Sequence, residues 1–136
     1  MSSCIKFLIA SLCVGAFSFV QAQIPDTKYS QGISYISGGV GEEESQAILA
    51  ESKQWPILLE LSQLDGGRGV WIFGAQVKVL NEGNQVIFNA IAEGPYILIN
   101  LPAGNHLIEA SYQGVVQKKA VSINPGGNQK ISIFWR

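Results

Sequence analysis

The sequence predicts an all-β fold, a seven-stranded Greek-key β-sandwich preceded by one short helix, and three observations predict it. From Pro56 onward apolar runs recur at a spacing of about 8–12 residues, as in sandwiches and barrels. Between the runs stand glycines accompanied by Pro, Asn or Gln, at Pro102–Gly104, Gln113–Gly114 and Pro125–Gly127. Only the stretch from Glu42 to Lys53 departs from this pattern. It lacks Pro and β-branched runs and is rich in Glu, Ala and Gln.

In chain order, Met1–Ala22 comes first. Lys6 precedes an apolar run from Phe7 to Val20 that ends in small residues, the three-part layout of a secretory signal peptide. A membrane-spanning helix needs roughly 20 apolar residues, whereas this run gives way at once to polar Gln21 and the residues after Ala22. Cleavage is expected after Ala22, which addresses the chain to the periplasm, with secretion beyond it as the alternative, and leaves no membrane span. Leu12 before Cys13 is bulky where a lipoprotein signal needs a small residue. Both cysteines, Cys4 and Cys13, lie in this segment, so the exported part has no disulfide and no zinc-thiolate site.

Removing 22 of 136 residues leaves 114, enough for one core. Loss of Lys6 takes the basic residues from nine to eight against ten acidic ones, so the net charge passes from −1 to −2. No basic stripe exists for a nucleic-acid backbone to neutralise. Residues 23–55 are expected to form an arm and the short helix, and residues 56–136 the sandwich domain.

Gln23–Ser37 has no sustained period and reads as an extended or loosely held arm. The helix is expected over about residues 42–53, with Glu42, Glu43 and Glu44 in a first turn whose unpaired N–H groups favour negative charge. Pro56 bars its continuation. In Ile57–Leu64 apolar Ile57, Leu59 and Leu61 alternate with Leu58, Glu60 and Ser62, a first strand. Gly66, Gly67 and Gly69 then predict a loop carrying Arg68. Ala75–Leu80 and Gln85–Ala92, joined around Glu82–Asn84, read as a hairpin. Four further apolar runs complete the chain.

From Gly74 to Gly114 the pattern resembles the carboxypeptidase regulatory-like, transthyretin-like β-sandwich domains, an immunoglobulin-like architecture. The shared elements are Gly74-Ala75-x-Val77-x-Val79, Gly94-x-Tyr96-x-Leu98 and the turn Leu101-Pro102-Ala103-Gly104. The resemblance spans roughly residues 57–135. Ser37–Glu44, the helix after it and the closing Phe134-Trp135-Arg136 also resemble a group of uncharacterised proteobacterial periplasmic proteins. The resemblance implies a sandwich and a periplasmic address, and no activity, since these domains are non-catalytic companions in carboxypeptidases.

The chemistry readable from the residues points the same way. Transthyretin-like hydroxyisourate hydrolases use several histidines and a Tyr-Arg-Gly-Ser-type end, whereas here His106 stands alone and the end reads Ile133-Phe134-Trp135-Arg136. His106 reads as a histidine at the core or its edge with one hydrogen-bond partner. No Ser-centred nucleophile motif is present, and three consecutive helical carboxylates diverge by about 100° each. They read as solvated first-turn charges, with a partner-facing acidic cluster or a weak calcium contact as the other readings. Ser37–Gly41 lacks the Lys of a phosphate loop and leads into the carboxylates. A Lys78 cross-link to Asn100 or Asn124 is disfavoured, because Lys78 lies on the strand face opposite Val77 and Val79. No catalytic residue, metal ligand or cofactor site is expected.

Two surfaces remain as candidates. If Tyr96 and Leu98 point inward, Ile97 and Ile99 point outward, and by the same alternation Leu107 and Phe134 do so too. These four form a candidate partner-binding face for another periplasmic or envelope protein, unless the helix covers them through Ala47, Ile48 and Leu49. Trp71 and Phe73, after the glycine-rich loop, are the candidate ligand-binding pair, for a small molecule or carbohydrate, or else strand-start packing. The expected function is a non-enzymatic binding or accessory module acting through a sandwich edge or apolar face.

Overall fold

The computed structural model describes residues 23–136. The signal segment and its cleavage after Ala22 lie outside the described residues. The described residues form a two-sheet sandwich with one short helix, in the order β1 (Lys28–Ser30), β2 (Ile33–Gly38), α1 (Glu42–Glu51), a 3-10 turn (Ser52–Gln54) and then β3 (Ile57–Asp65). There follow β4 (Arg68–Trp71), β5 (Gln76–Leu80), β6 (Val86–Ile91), β7 (Tyr96–Ile99), β8 (Gly104–Tyr112), β9 (Val115–Ile123) and β10 (Gln129–Trp135). The larger sheet runs β1-β2-β7-β3-β10, with β4 beside the far half of β3, and the smaller runs β6-β5-β8-β9. Among the described residues only β10 and β3 pair in parallel.

The sandwich and the helix agree with the expectation, while the number of strands among the described residues is ten rather than seven. Two of the additional strands come from the segment expected to be a loose arm. β2 pairs with β7 in register Tyr35↔Ile99 to Gly38↔Tyr96, so the arm is a working part of the larger sheet. Another comes from the glycine-rich loop. Gly66 and Gly67 both take positive φ, the two-residue turn whose twist suits a hairpin, and Arg68–Trp71 returns along β3. Gln113 and Gly114 make the equivalent turn between β8 and β9.

The main core lies between the sheets, where Leu59, Leu61, Ile97 and Ile99 meet Val77, Val79, Phe88 and Ile108. A second, smaller core lies on the opposite side of the larger sheet. There Ile48 of α1 is fully buried on Ile36, Leu58, Tyr96 and Leu98, with Leu49 and Trp55 packed at its margin. Apart from Ser45, Ile48 is the one side chain that α1 buries outright, so the helix is held by its ends as well. Ser45 Oγ donates to Gly39 O at 2.7 Å, Glu44 Oε1 accepts from Gly39 N–H at 2.8 Å, and Asn128 Nδ2 donates to Ser52 O and Trp55 O. Gly94 is required where β2 crosses the entry to β7, because a Cβ there would run into the Gly38 carbonyl.

The second core overturns one expectation. Ile97 and Ile99 point into the space between the sheets, and both are fully buried. Tyr96 and Leu98 are the outward pair, and they are buried as well because α1 covers them. All four residues of β7 are apolar and enclosed, so alternation carries no sign of which face is which. Among the described residues no helix is long and apolar enough to cross a membrane.

Candidate functional site

Residues paired across strands share a face, so the register places side chains in rows on the outer side of the larger sheet. The first row, Ile36–Leu98–Leu58–Lys130, lies beneath α1 apart from its lysine. Next comes Gly38–Tyr96–Glu60–Ser132. The third row is Trp71–Ser62–Phe134, with β4 standing where β7 has ended.

This third row is the candidate site. Ser62 is buried, while Trp71 is 52% and Phe134 48% exposed, so two large aromatic side chains stand on either side of a small hydroxyl. Two strand spacings separate them, about 10 Å. The Trp71 ring also contacts Tyr96, with centroids 5.8 Å apart and planes tilted by 60°. Behind the row, Glu60 accepts from Ser132 Oγ at 3.2 Å, and its other oxygen lies 3.5 Å from Lys130 Nζ. Burial first, and then the Glu60 carboxylate beside it, hold the Tyr96 phenol above the usual tyrosine range. The arrangement offers apolar aromatic area next to an already neutralised ion pair. That composition suits contact and desolvation rather than acid–base chemistry.

The residues singled out from the sequence are thus redistributed. Phe134 of the partner set and Trp71 of the ligand pair, expected on separate surfaces, are brought together. Ile97 and Ile99 are removed from any surface, being core residues. Leu107 is on an outer face, but of the smaller sheet, half-buried between Leu80 and Ala120. Phe73 is 68% exposed in the link from β4 to β5, separated from Trp71 by Ile72, which enters the core. Tyr96, Glu60 and Ser62 were not visible as site residues, since their place depends on strand partners distant in sequence.

The remaining chemical candidates have structural surroundings. His106 is buried, and its Nε2–H donates to Pro102 O at 2.8 Å, the only role a carbonyl partner allows that nitrogen; Nδ1 is enclosed without a partner. Glu44 is turned back onto Gly39, while Glu42 and Glu43 are exposed. Among the described residues no group of three or more His, Cys, Asp or Glu could hold a metal ion. Compared with known proteins, the sequence matches no family model and no curated protein.

Proposed function

We propose that the chain is an exported, non-enzymatic binding or accessory module of carboxypeptidase regulatory-like type, and that it recognises another envelope protein through the Trp71–Ser62–Phe134 row. The periplasmic address rests on Lys6, the apolar run from Phe7 to Val20 and the small residue Ala22. What carries the recognition reading is that two half-exposed aromatics share one row immediately beyond the area that α1 covers. Aromatic side chains are enriched at the cores of protein interfaces, where a few anchors carry most of the binding energy. The face is continuous with the packed Tyr96–Trp71 pair, so an incoming side chain meets a surface already ordered on one side.

The test is photo-cross-linking in the periplasm from probes placed at Trp71 and Phe134, alongside a Trp71→Ala/Phe134→Ala double variant in affinity capture. A shared partner cross-linked from both positions, and weakened by about 30-fold or more in the double variant, is the expected result. Capture that is indifferent to the double variant, or a partner reached only from other faces, refutes the reading. Saturable binding of a sugar or small molecule that quenches Trp71 fluorescence would replace the protein partner with a ligand at the same row.

A further inference from the structure

Two seams close the sandwich, where an edge strand of one sheet runs beside an edge strand of the other, and they are built differently. At the first, β1 meets β6. The Ser30 hydroxyl donates to Asn89 O at 2.9 Å and accepts from Asn89 N–H at 3.0 Å, while Lys28 Nζ lies 2.6 Å from Glu93 Oε1. One side chain occupies both main-chain groups that Asn89 would offer an incoming strand, and the charges beside it balance.

At the second seam, β9 faces β10, and side chains bridge only its ends. Trp135 Nε1 donates to Val115 O at 2.9 Å, and Gln129 Nε2 donates to Ser122 O at 2.8 Å. Among the described residues β9 pairs only with β8, so its outer edge is open between these two ties. A cavity of about 380 Å³ opens there, lined by Val115, Gln117 and Lys119 of β9 and by Ile133, Phe134 and Arg136. No Asp or Glu side chain lines it, and among the described residues neither the Lys119 ammonium nor the Arg136 guanidinium lies within ion-pair distance of an acidic side chain. Lys119 thus stands at this edge as a cation with no acidic side chain beside it, on a chain whose net charge is −1.

The charge also bears on what can occupy the edge. β9 runs from Val115 to Ile123, so Lys119 is its central residue. A second copy pairing antiparallel about a two-fold axis at that centre would set Lys119 against Lys119, with Lys118 close by on each chain. Like charges directly opposite are destabilising. Edge lysines are a common guard against self-association, and the same charge selects an opposite one.

We propose that the open edge of β9 accepts, by strand addition, an extended acidic segment of a partner protein. Its main chain pairs with β9 between the two tied ends. Alternate side chains of an added strand point to one face, so an Asp or Glu stands opposite Lys119 and apolar residues at the alternating positions lie against the exposed side chains of Val115 and Phe134. This second contact stands independently of the aromatic row, although Phe134 borders both. Trp71, on the far side of β3, belongs to that row alone.

The experiment is an amide-resolved NMR titration of the protein with the blocked peptide Val-Thr-Val-Thr-Glu-Thr-Val-Thr-Val and with its counterpart carrying Lys in place of Glu. The expected result is saturable perturbation confined to β9, β10 and their turns, with the Glu peptide binding about tenfold more tightly than the Lys peptide. Lys119→Glu, a change at an exposed side chain, reverses that preference, and Trp71→Ala leaves it unchanged. The proposal is overturned by equal binding of the two peptides, by no perturbation at millimolar peptide, or by perturbation elsewhere. It is equally overturned if sedimentation shows a dimer in which the β9 edge amides are protected.

Discussion

Truncating Ile97 and Phe134 to alanine in separate variants tests which face of β7 and β10 is which. Ile97 is fully enclosed between the sheets. Ile97→Ala removes three carbons, at about 0.8 kcal/mol each, for about 2.4 kcal/mol of lost transfer free energy. The surrounding side chains, Leu59 and Ile99 among them, are themselves fixed in strands, so the site collapses only in part. The residual cavity raises the cost to about 3–4 kcal/mol, inside the range seen for such truncations. Phe134 is close to half exposed, so Phe134→Ala loses about half of a buried aromatic's value, about 1 kcal/mol. Urea unfolding of each variant measures the difference as a shift in midpoint at unchanged slope. In thermal unfolding Ile97→Ala corresponds to a fall of about 12–16 °C for a domain of this size. If Phe134→Ala proves as costly as Ile97→Ala or costlier, the assignment of the two faces is wrong, and the aromatic row with it.

Ser30→Ala leaves both Asn89 main-chain groups without their hydroxyl partner, a loss of about 1–2 kcal/mol confined to the β1/β6 seam. Hydrogen exchange at the Asn89 amide should accelerate by about tenfold or more while β8 and β3 amides keep their protection, and unchanged exchange would show that the hydroxyl does not close that edge. Tyr96 should ionise later than an ordinary tyrosine, followed at 295 nm against Tyr96→Phe, because burial and then Glu60 raise its pKa. A pKa raised in the folded state means that the folded protein holds its proton longer. The contribution to stability is therefore complete below about pH 10, the ordinary tyrosine value, and falls as pH rises from there through the folded-state value. Glu60→Gln should bring the ionisation part of the way down, leaving the share due to burial, and Tyr96 titrating at or below the ordinary value would contradict the enclosed phenol.

Much of this fold is legible because its signals are local. The Pro and Gly breaks at Pro102–Gly104, Gln113–Gly114 and Pro125–Gly127 depend on a few neighbouring residues, and the strands after them follow within a residue or two. The helix follows from composition between Glu42 and Glu51. β1 and β2 were not legible, because this short hairpin about Gln31 and Gly32 lacks a sustained alternation of its own and joins the sheet only where β2 meets β7, some sixty residues away. β4 was hidden differently, since three glycines in five residues read equally well as an open loop or as a tight hairpin turn.

The candidate site was less legible than the fold, and the reason lies in the cover rather than in the strands. Period-two alternation tells that two faces exist; it names the core face only when the other is polar. In β7 the outward pair Tyr96 and Leu98 is as apolar as the inward pair Ile97 and Ile99, because α1 gives this sheet a second core. Which outward side chains stay exposed is then decided by where the helix docks. Its docking is set by contacts that no periodicity reports: Ser45 and Glu44 on Gly39 at one end, and Asn128 on Ser52 and Trp55 at the other. Trp71 and Phe134 remain exposed because β4 and the end of β10 reach past that cover. A change that loosens either tie should therefore enlarge the exposed apolar face toward Leu58 and Leu98, so the docking of α1 sets the boundary of the surface proposed to bind a partner.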